Sequence, residues 1–223
     1  MLPVPPSSNA FSLSDAATLP SPPTTLHPTS VNVSERQYAA VLVDDFEDGN
    51  RFNEFRGTWF TYSDRSYNGT SQVIPESYSR FEPVESGAPG SQRSARITGK
   101  VSTDYDRGFV GIGTELNAPN DPVDISNYDG IVFWARGDGK TYRLKLRSTA
   151  VPDEDDYGYN FTPTAEWRQY VIPFKKLRQE GWGKSIRRRR ALQQVTGIHW
   201  ETIGQPHQSI DLSIDDISFT KAP

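Results

Sequence analysis

From about residue 37 onward, apolar and polar residues alternate with a period of two, and no apolar stripe of helical period runs long enough to compete. Successive side chains of a strand point to opposite faces. In 141–147 this puts Tyr142, Leu144 and Leu146 on an apolar face and Arg143, Lys145 and Arg147 opposite them. In 131–136 Ile131, Phe133 and Ala135 form the buried set, leaving Val132 and Trp134 on the other side. In 157–161 Tyr157, Tyr159 and Phe161 pack inward, while Asp156, Gly158 and Asn160 face away. In 197–202 Ile198 and Trp200 belong to the core and His199 and Glu201 to the outer face. Strand patterns also cover 59–63, 94–99, 108–113, 168–174 and 211–219. About nine or ten short strands at close spacing predict an all-β sandwich or jelly roll. Gly137-Asp138-Gly139 predicts a hairpin turn joining 131–136 to 141–147. Short helical turns are expected over 175–181 and 187–194.

Both ends of this region are acidic. In 43–49, Asp45 and Glu47 share one strand face and Phe46 takes the other. In 210–219, Ile210, Leu212, Ile214 and Asp216 share one side, with Asp211, Ser213 and Asp215 opposite. Terminal strands that each carry carboxylates predict a sandwich closed by pairing of its own ends. Hard carboxylate oxygens suit calcium, so Asp45, Glu47 and Asp215 are the expected ligands of a structural Ca2+. The alternative is that these charges discourage edge-to-edge aggregation.

Residues 1–36 differ in kind. Seven prolines fall within the first 31 positions, and Asp15 is the one charged residue among them. Little apolar surface offsets the entropy of ordering, so the segment reads as a disordered linker before a module at 37–223. Such tethers join modules of secreted proteins, and an extracellular location is expected, although Met-Leu-Pro-Val-Pro-Pro shows no signal-peptide pattern.

Composition narrows the function classes. Five Trp, ten Tyr and eleven Phe exceed core needs and point to rings at a binding surface. A net charge of −4 gives no reason to expect nucleic acid, and the run Arg187 to Arg190 reads as a solvated loop. No stretch approaches the roughly 18 apolar residues of a membrane span. Arg136-Gly137-Asp138 is ordinary turn chemistry. Neither a nucleophile elbow, a zinc histidine pair nor a phosphate loop occurs, so catalysis is not expected. The carboxylates conceivable in a glycoside hydrolase are Asp153, Glu154, Asp155, Asp156 and Glu201.

The ordered motifs "VDDFEDG", "WFTYSD", "YDGIVFWARGDGKTYRLKLRS", "YGYNFTPTAEWRQYVIPFKKL", "VTGIHW" and "LSIDDISF" resemble family 11 carbohydrate-binding modules. They also resemble the related domain of complex I intermediate-associated protein 30. The similarity runs from about Val43 to Phe219. It implies a β-jelly roll of the galactose-binding type, with two antiparallel sheets and one concave face. One branch holds structural calcium and grips single β-glucan chains beside polysaccharide hydrolases; the other contains respiratory-complex assembly factors. The leader and the "DDFE" opening look more like the secreted branch, which implies a polysaccharide ligand and a linked catalytic module.

Flat rings stack on the C–H face of a pyranose, and fixed polar groups bond its hydroxyls. Trp59, Tyr62, Trp134 and Trp182 are the ring candidates. By resemblance, Trp182 lies in a segment that contributes an aromatic to the family's cleft, and Phe109 matches a tyrosine position. Asp153 and His199 match polar ligand contacts. Asp156, Glu201 and the stripe of Arg143, Lys145 and Arg147 complete the expected lining. Guanidinium forks suit carboxylates, so an acidic polysaccharide is the alternative ligand. An assembly or protein-interaction domain is the alternative function.

Overall fold

Two antiparallel sheets face each other across one apolar core. The computed structural model describes residues 40–77, 79–119, 121–203 and 206–221; the linker expected over 1–36 lies outside the described residues. The strands are β1 (Ala40–Asp44), β2 (Trp59–Ser63), β3 (Gln72–Ile74), β4 (Ala95–Val101), β5 (Val110–Glu115) and β6 (Gly130–Gly137). They continue with β7 (Tyr142–Ser148), β8 (Tyr157–Phe161), β9 (Arg168–Pro173), β10 (Val195–Thr202) and β11 (His207–Thr220). A short α-helix, α1 (Arg188–Leu192), precedes β10, and 3-10 turns cover Asp64–Tyr67 and Phe174–Lys176. The first sheet runs β3-β4-β11-β6-β9 with β1 also on β11, and the second runs β2-β5-β10-β7-β8. The expected jelly-roll sandwich and the pairing of the two terminal strands are both present.

The core follows the strand alternation. Ile131, Phe133 and Ala135 of β6 meet Tyr142, Leu144 and Leu146 of β7 and Ile198 and Trp200 of β10 in one buried cluster. Trp200 is fully buried, stacked on Trp59 at 5.9 Å, with Phe133 edge-on at 5.6 Å. Such pairs add to the free energy of burying the rings themselves.

Three local expectations are corrected. First, β6 and β7 do not form a hairpin: β6 pairs with β11 and β9, whereas β7 pairs with β10 and β8. The Gly137-Asp138-Gly139 corner carries the chain from one sheet to the other. Asp138 fixes it by accepting from Lys140 N at 3.1 Å, Asp211 N at 2.9 Å and the Tyr142 hydroxyl at 3.2 Å. Second, the alternation of β11 does not run through. A register shift falls between Asp215 and Ser218, where Asp216 takes a left-handed φ of 48°. The bulge re-aims the strand, so Ile217 and Phe219 join the core in place of Asp216. Third, β1 ends at Asp44, and Phe46 adopts a φ of 60°. Asp45 and Glu47 therefore sit in a turn and share no strand face.

Asp44 closes that turn from inside. Its carboxylate accepts the Phe46 amide at 2.8 Å and the Trp59 indole N–H at 2.6 Å, and burial pushes its pKa up to about 7. The unfolded carboxyl titrates near 3.8, so between pH 4 and 7 only the folded state favours the proton. Stability from this group is therefore lost as pH rises through that window. Comparing the parent with Asp44→Asn in urea titrations isolates it, because other titrations cancel in the difference. From pH 5 to 7 the difference in unfolding free energy is expected to move toward the variant by about 2 kcal/mol; a pH-independent difference would refute the assignment.

Candidate functional site

The outward face of the second sheet presents the polar sides of β2, β5, β10, β7 and β8. Phe60 and Tyr62 come from β2, His199 and Glu201 from β10, and Arg143, Lys145 and Arg147 from β7. Their closeness to the sheet depends on glycine in β5. A Cβ on Gly111 would lie 2.5 Å from Tyr62 Cζ, and one on Gly113 would lie 2.7 Å from His199 Cδ2. Both rings therefore rest on bare backbone. Gly113→Ala is expected to lift the imidazole and to cost about 1–3 kcal/mol of stability through overpacking. Burial, then the charges of Arg147 and Lys145, hold His199 well below the ordinary imidazole range. In the variant its NMR titration is expected to move back up.

Every cation of the β7 stripe is already matched. Lys145 Nζ donates to Glu201 Oε1 at 2.8 Å, and the other Glu201 oxygen accepts the Tyr62 hydroxyl at 3.0 Å. Arg147 reaches Asp156 at 2.9 Å and Glu154 at 3.2 Å. Arg143 donates to Asn160 Oδ1 at 2.8 Å and to the Arg178 carbonyl at 2.7 Å, with Glu180 at 3.9 Å. Burial raises the Asp156 carboxyl above its usual range despite Arg147 and Lys145. For Glu154, burial is outweighed by the Tyr67 hydroxyl and Arg147, which hold its carboxyl low.

Rings continue this surface toward the rim. Phe60 meets His199 edge-on at 5.4 Å, His199 lies 5.0 Å from Tyr62, and Tyr62 lies 5.9 Å from Phe109. Phe109 then meets Tyr67 at 6.0 Å, and Tyr67 stacks on Tyr105 at 5.5 Å. The Tyr67 hydroxyl donates to Glu154 at 2.9 Å, which joins the connection after β2 to the one after β7. Two depressions of about 450 and 520 Å³ share Tyr67, Phe109, Lys145, Glu154 and Glu201 in their linings. Trp182, half exposed, lines the first, with the Arg107 guanidinium 5.8 Å from its ring. Broad ring faces beside fixed donor–acceptor couples form a surface suited to a polar ligand that has apolar flat sides.

The profile of the complex I intermediate-associated protein 30 (CIA30) family matches residues 45–214. The chain belongs to this family. A further relative is Endoglucanase 3 of Fibrobacter succinogenes, 28% identical over 187 residues, or 81% of this chain. The chain spans 26% of that relative's length. Among solved structures, the family 11 carbohydrate-binding module of the cellulosomal cellulase Lic26A-Cel5E of Clostridium thermocellum superposes with a TM-score of 0.57 at 18% identity, covering 83% of this chain and 96% of that one. A family 11 module from the same organism, in complex with a β-1,3-1,4-mixed-linked tetrasaccharide, gives 0.55 at 19% identity, with 82% and 96% covered. The family 30 module of its cellulase Cel9D-Cel44B gives 0.55 at 16% identity, with 82% and 97% covered. At these identities the likeness is one of fold.

Within this CIA30-family fold, Tyr62, Phe109, Arg143, Lys145, Arg147, Asp153, Trp182, His199 and Glu201 line the depressions. Two expected rings do not. Trp59 is buried at 2% exposure between Phe46 and Trp200, because β2 turns Trp59, Thr61 and Ser63 inward and Phe60 and Tyr62 outward. Trp134 lies on the outward face of the other sheet, across from Gln169 and Asp215 in register. Its strand parity is as expected, but the crossing between β6 and β7 puts it on the opposite side of the sandwich. Asp156 is buried at 2% exposure and accepts from Arg147 and the Ser148 amide instead of lining the surface.

The expected calcium ligands have other partners. Glu47 Oε1 accepts Arg93 N and Gln92 N at 2.8 Å and Ser91 Oγ at 2.9 Å, and these bonds hold its carboxyl low. Asp215 accepts Ala88 N and Asp216 N, each at 2.8 Å, and burial pushes its carboxyl up to about 6. Together they clamp the loop over residues 88–93 onto the turn after β1 and onto β11. Among the described residues no three Asp, Glu or His side chains are grouped to hold a metal. The residues present fit a backbone clamp better than a cation.

Pattern reading missed Phe60, Tyr67, Tyr105, Arg107, Glu154 and Glu180 in the lining. Phe60 had a signal, since it shares parity with Tyr62. The others stand on connections, where no period relates a residue to a face.

Proposed function

We propose that this chain is a non-catalytic module that holds a neutral polysaccharide chain, most simply a β-glucan, across the outward face of the β2-β5-β10-β7-β8 sheet. One observation carries the proposal: an open surface in which the half-exposed Trp182 and a row of rings flank cation–carboxylate couples that are already neutralised. A pyranose presents an apolar face to a ring and vicinal hydroxyls to such a couple, one donating to the carboxylate and one accepting from the cation. The endoglucanase relative and the carbohydrate-binding fold neighbours support the same use. They also support the idea of a secreted multidomain protein whose linked module acts on the polysaccharide.

Two of the conceivable catalytic carboxylates are already held by partners within the chain. Glu201 is tied to Lys145 and Tyr62, and Asp156 to Arg147 and the Ser148 amide. Glycoside hydrolysis needs two carboxyls flanking the scissile bond, one as acid and one as base or nucleophile, and Asp156 is buried away from the surface. An acidic polysaccharide is also disfavoured, since its uronates would compete with partners already seated on Arg143, Lys145 and Arg147. The CIA30 family description favours a second reading, an assembly domain that binds another protein.

Affinity electrophoresis separates these readings. Retardation is expected by mixed-linkage β-glucan and by soluble cellulose derivatives without charge, and none by polygalacturonate. Retention by polyuronate alone would establish the acidic ligand. Failure across neutral and acidic polymers, with a stoichiometric protein partner recovered, would establish the assembly reading.

A further inference from the structure

Trp182 stands on a connection with no strand or helix of its own. Its backbone is held by a buried carboxylate that does not line either depression. Asp155 Oδ1 accepts Glu180 N at 2.7 Å, and Oδ2 accepts Gly181 N at 2.9 Å and Gly183 N at 3.1 Å. Asp155 is 1% exposed. These three amides flank Trp182 on both sides, so the carboxylate sets where the indole leaves the backbone.

The rest of the connection locks onto the same point. Asp153 Oδ2 accepts Lys184 N at 2.5 Å. The Gln179 side chain donates to the Asp155 carbonyl at 2.8 Å and accepts Ile186 N at 2.9 Å. Gly181 takes a left-handed φ of 93°, and a Cβ on Gly183 would sit 2.5 Å from Asp153 Oδ1. The loop is thus wrapped closely on the two aspartates.

We infer that Asp155 is a positioning residue that acts on the ligand only through Trp182; this rests on the proposed use of that ring as a saccharide platform. A carboxylate can accept at both oxygens, and bonds to an ionised acceptor are the stronger kind. An amide cannot replace it. Asparagine has one accepting oxygen, so whichever way it turns, its NH2 group faces at least one of the three N–H donors. The loop then opens without loss of any core side chain.

The test uses the full chain carrying Asp155→Asn, Gly183→Ala, Trp182→Ala, or Asp155→Asn with Trp182→Ala. Binding to soluble mixed-linkage β-glucan, melting temperature and amide hydrogen exchange are measured for each. Asp155→Asn and Gly183→Ala are expected to weaken binding at least about tenfold, as loss of an anchoring ring does, while the strands stay protected. Asp155→Asn is expected to add nothing in the Trp182→Ala background. Amides 180, 181 and 183 are expected to exchange at least about tenfold faster in Asp155→Asn, a readout that needs no sugar. Parental binding by Asp155→Asn, a further loss in the Trp182→Ala background, or unchanged exchange would overturn the inference. Should Asp155→Asn fail to fold, Gly183→Ala carries the same comparison. A parent chain that binds no glucan, or a Trp182→Ala variant that binds normally, would instead remove the platform itself, and the exchange data would still decide whether Asp155 holds the loop.

Discussion

Trp59→Ala is expected to destabilise the protein by about 3–5 kcal/mol, the usual cost of deleting a large buried aromatic side chain. Its ring lies 4.9 Å from Phe46, 5.9 Å from Trp200 and 6.1 Å from Phe81, so the cavity would open where the sheets meet. The indole N–H also satisfies Asp44 at 2.6 Å, and its loss would leave a buried carboxylate with the Phe46 amide alone. Trp59→Phe separates the two effects: it keeps most of the packing and removes only the donor. Urea midpoints should therefore fall in the order parent, Trp59→Phe, Trp59→Ala. Against a typical total of about 5–15 kcal/mol, the alanine variant approaches unfolding. A variant that kept full stability and lost glucan binding would return Trp59 to the ligand surface and contradict its burial.

Trp182→Ala carries the opposite pair of outcomes. The ring is 50% exposed, and its neighbours are the Arg107 guanidinium and a bond from its N–H to Glu180 at 3.2 Å. Among the described residues it belongs to neither buried apolar cluster, so the melting temperature is expected to stay within about 2 °C of the parent, as for a surface change within about 0.5 kcal/mol. Binding is expected to weaken by about 2 kcal/mol or more, roughly thirtyfold, because exposed rigid aromatics dominate recognition surfaces. Affinity electrophoresis and a thermal melt measure the two in parallel. Trp134→Ala serves as the control: it changes a half-buried tryptophan on the other sheet and should leave retardation untouched. Equal binding by Trp182→Ala and the parent would remove the platform on which the proposed function stands.

The two tryptophans show how far the alternation reaches. For β7 and β10 it separated Leu144 and Trp200 from Lys145 and Glu201 without error, since a strand buried on one face has no other way to write itself. For β2 the same rule holds, but Trp59, expected as a ligand ring, shares the inward parity of Thr61 and Ser63. Small polar residues on an inward face disguise it. For β6 the parity was right and the side of the molecule wrong, because Asp-Gly chemistry marks a tight corner without stating which sheet the next strand enters.

What the amino-acid order determined alone is the strand set apart from β3 and the bounds of β1, the inward and outward faces of most strands, the β-sandwich and its aromatic surplus. These follow from a period of two and from burial, which are properties of neighbours along the chain. Only the folded arrangement decided that β6 and β7 part company, that Asp216 bulges and that Glu47 and Asp215 clamp a loop. It alone also brought Tyr67 to Glu154 and three backbone amides to Asp155. Those are contacts between segments tens of residues apart, set by hydrogen-bond satisfaction inside irregular connections. No local pattern encodes which distant donor a buried carboxylate will find.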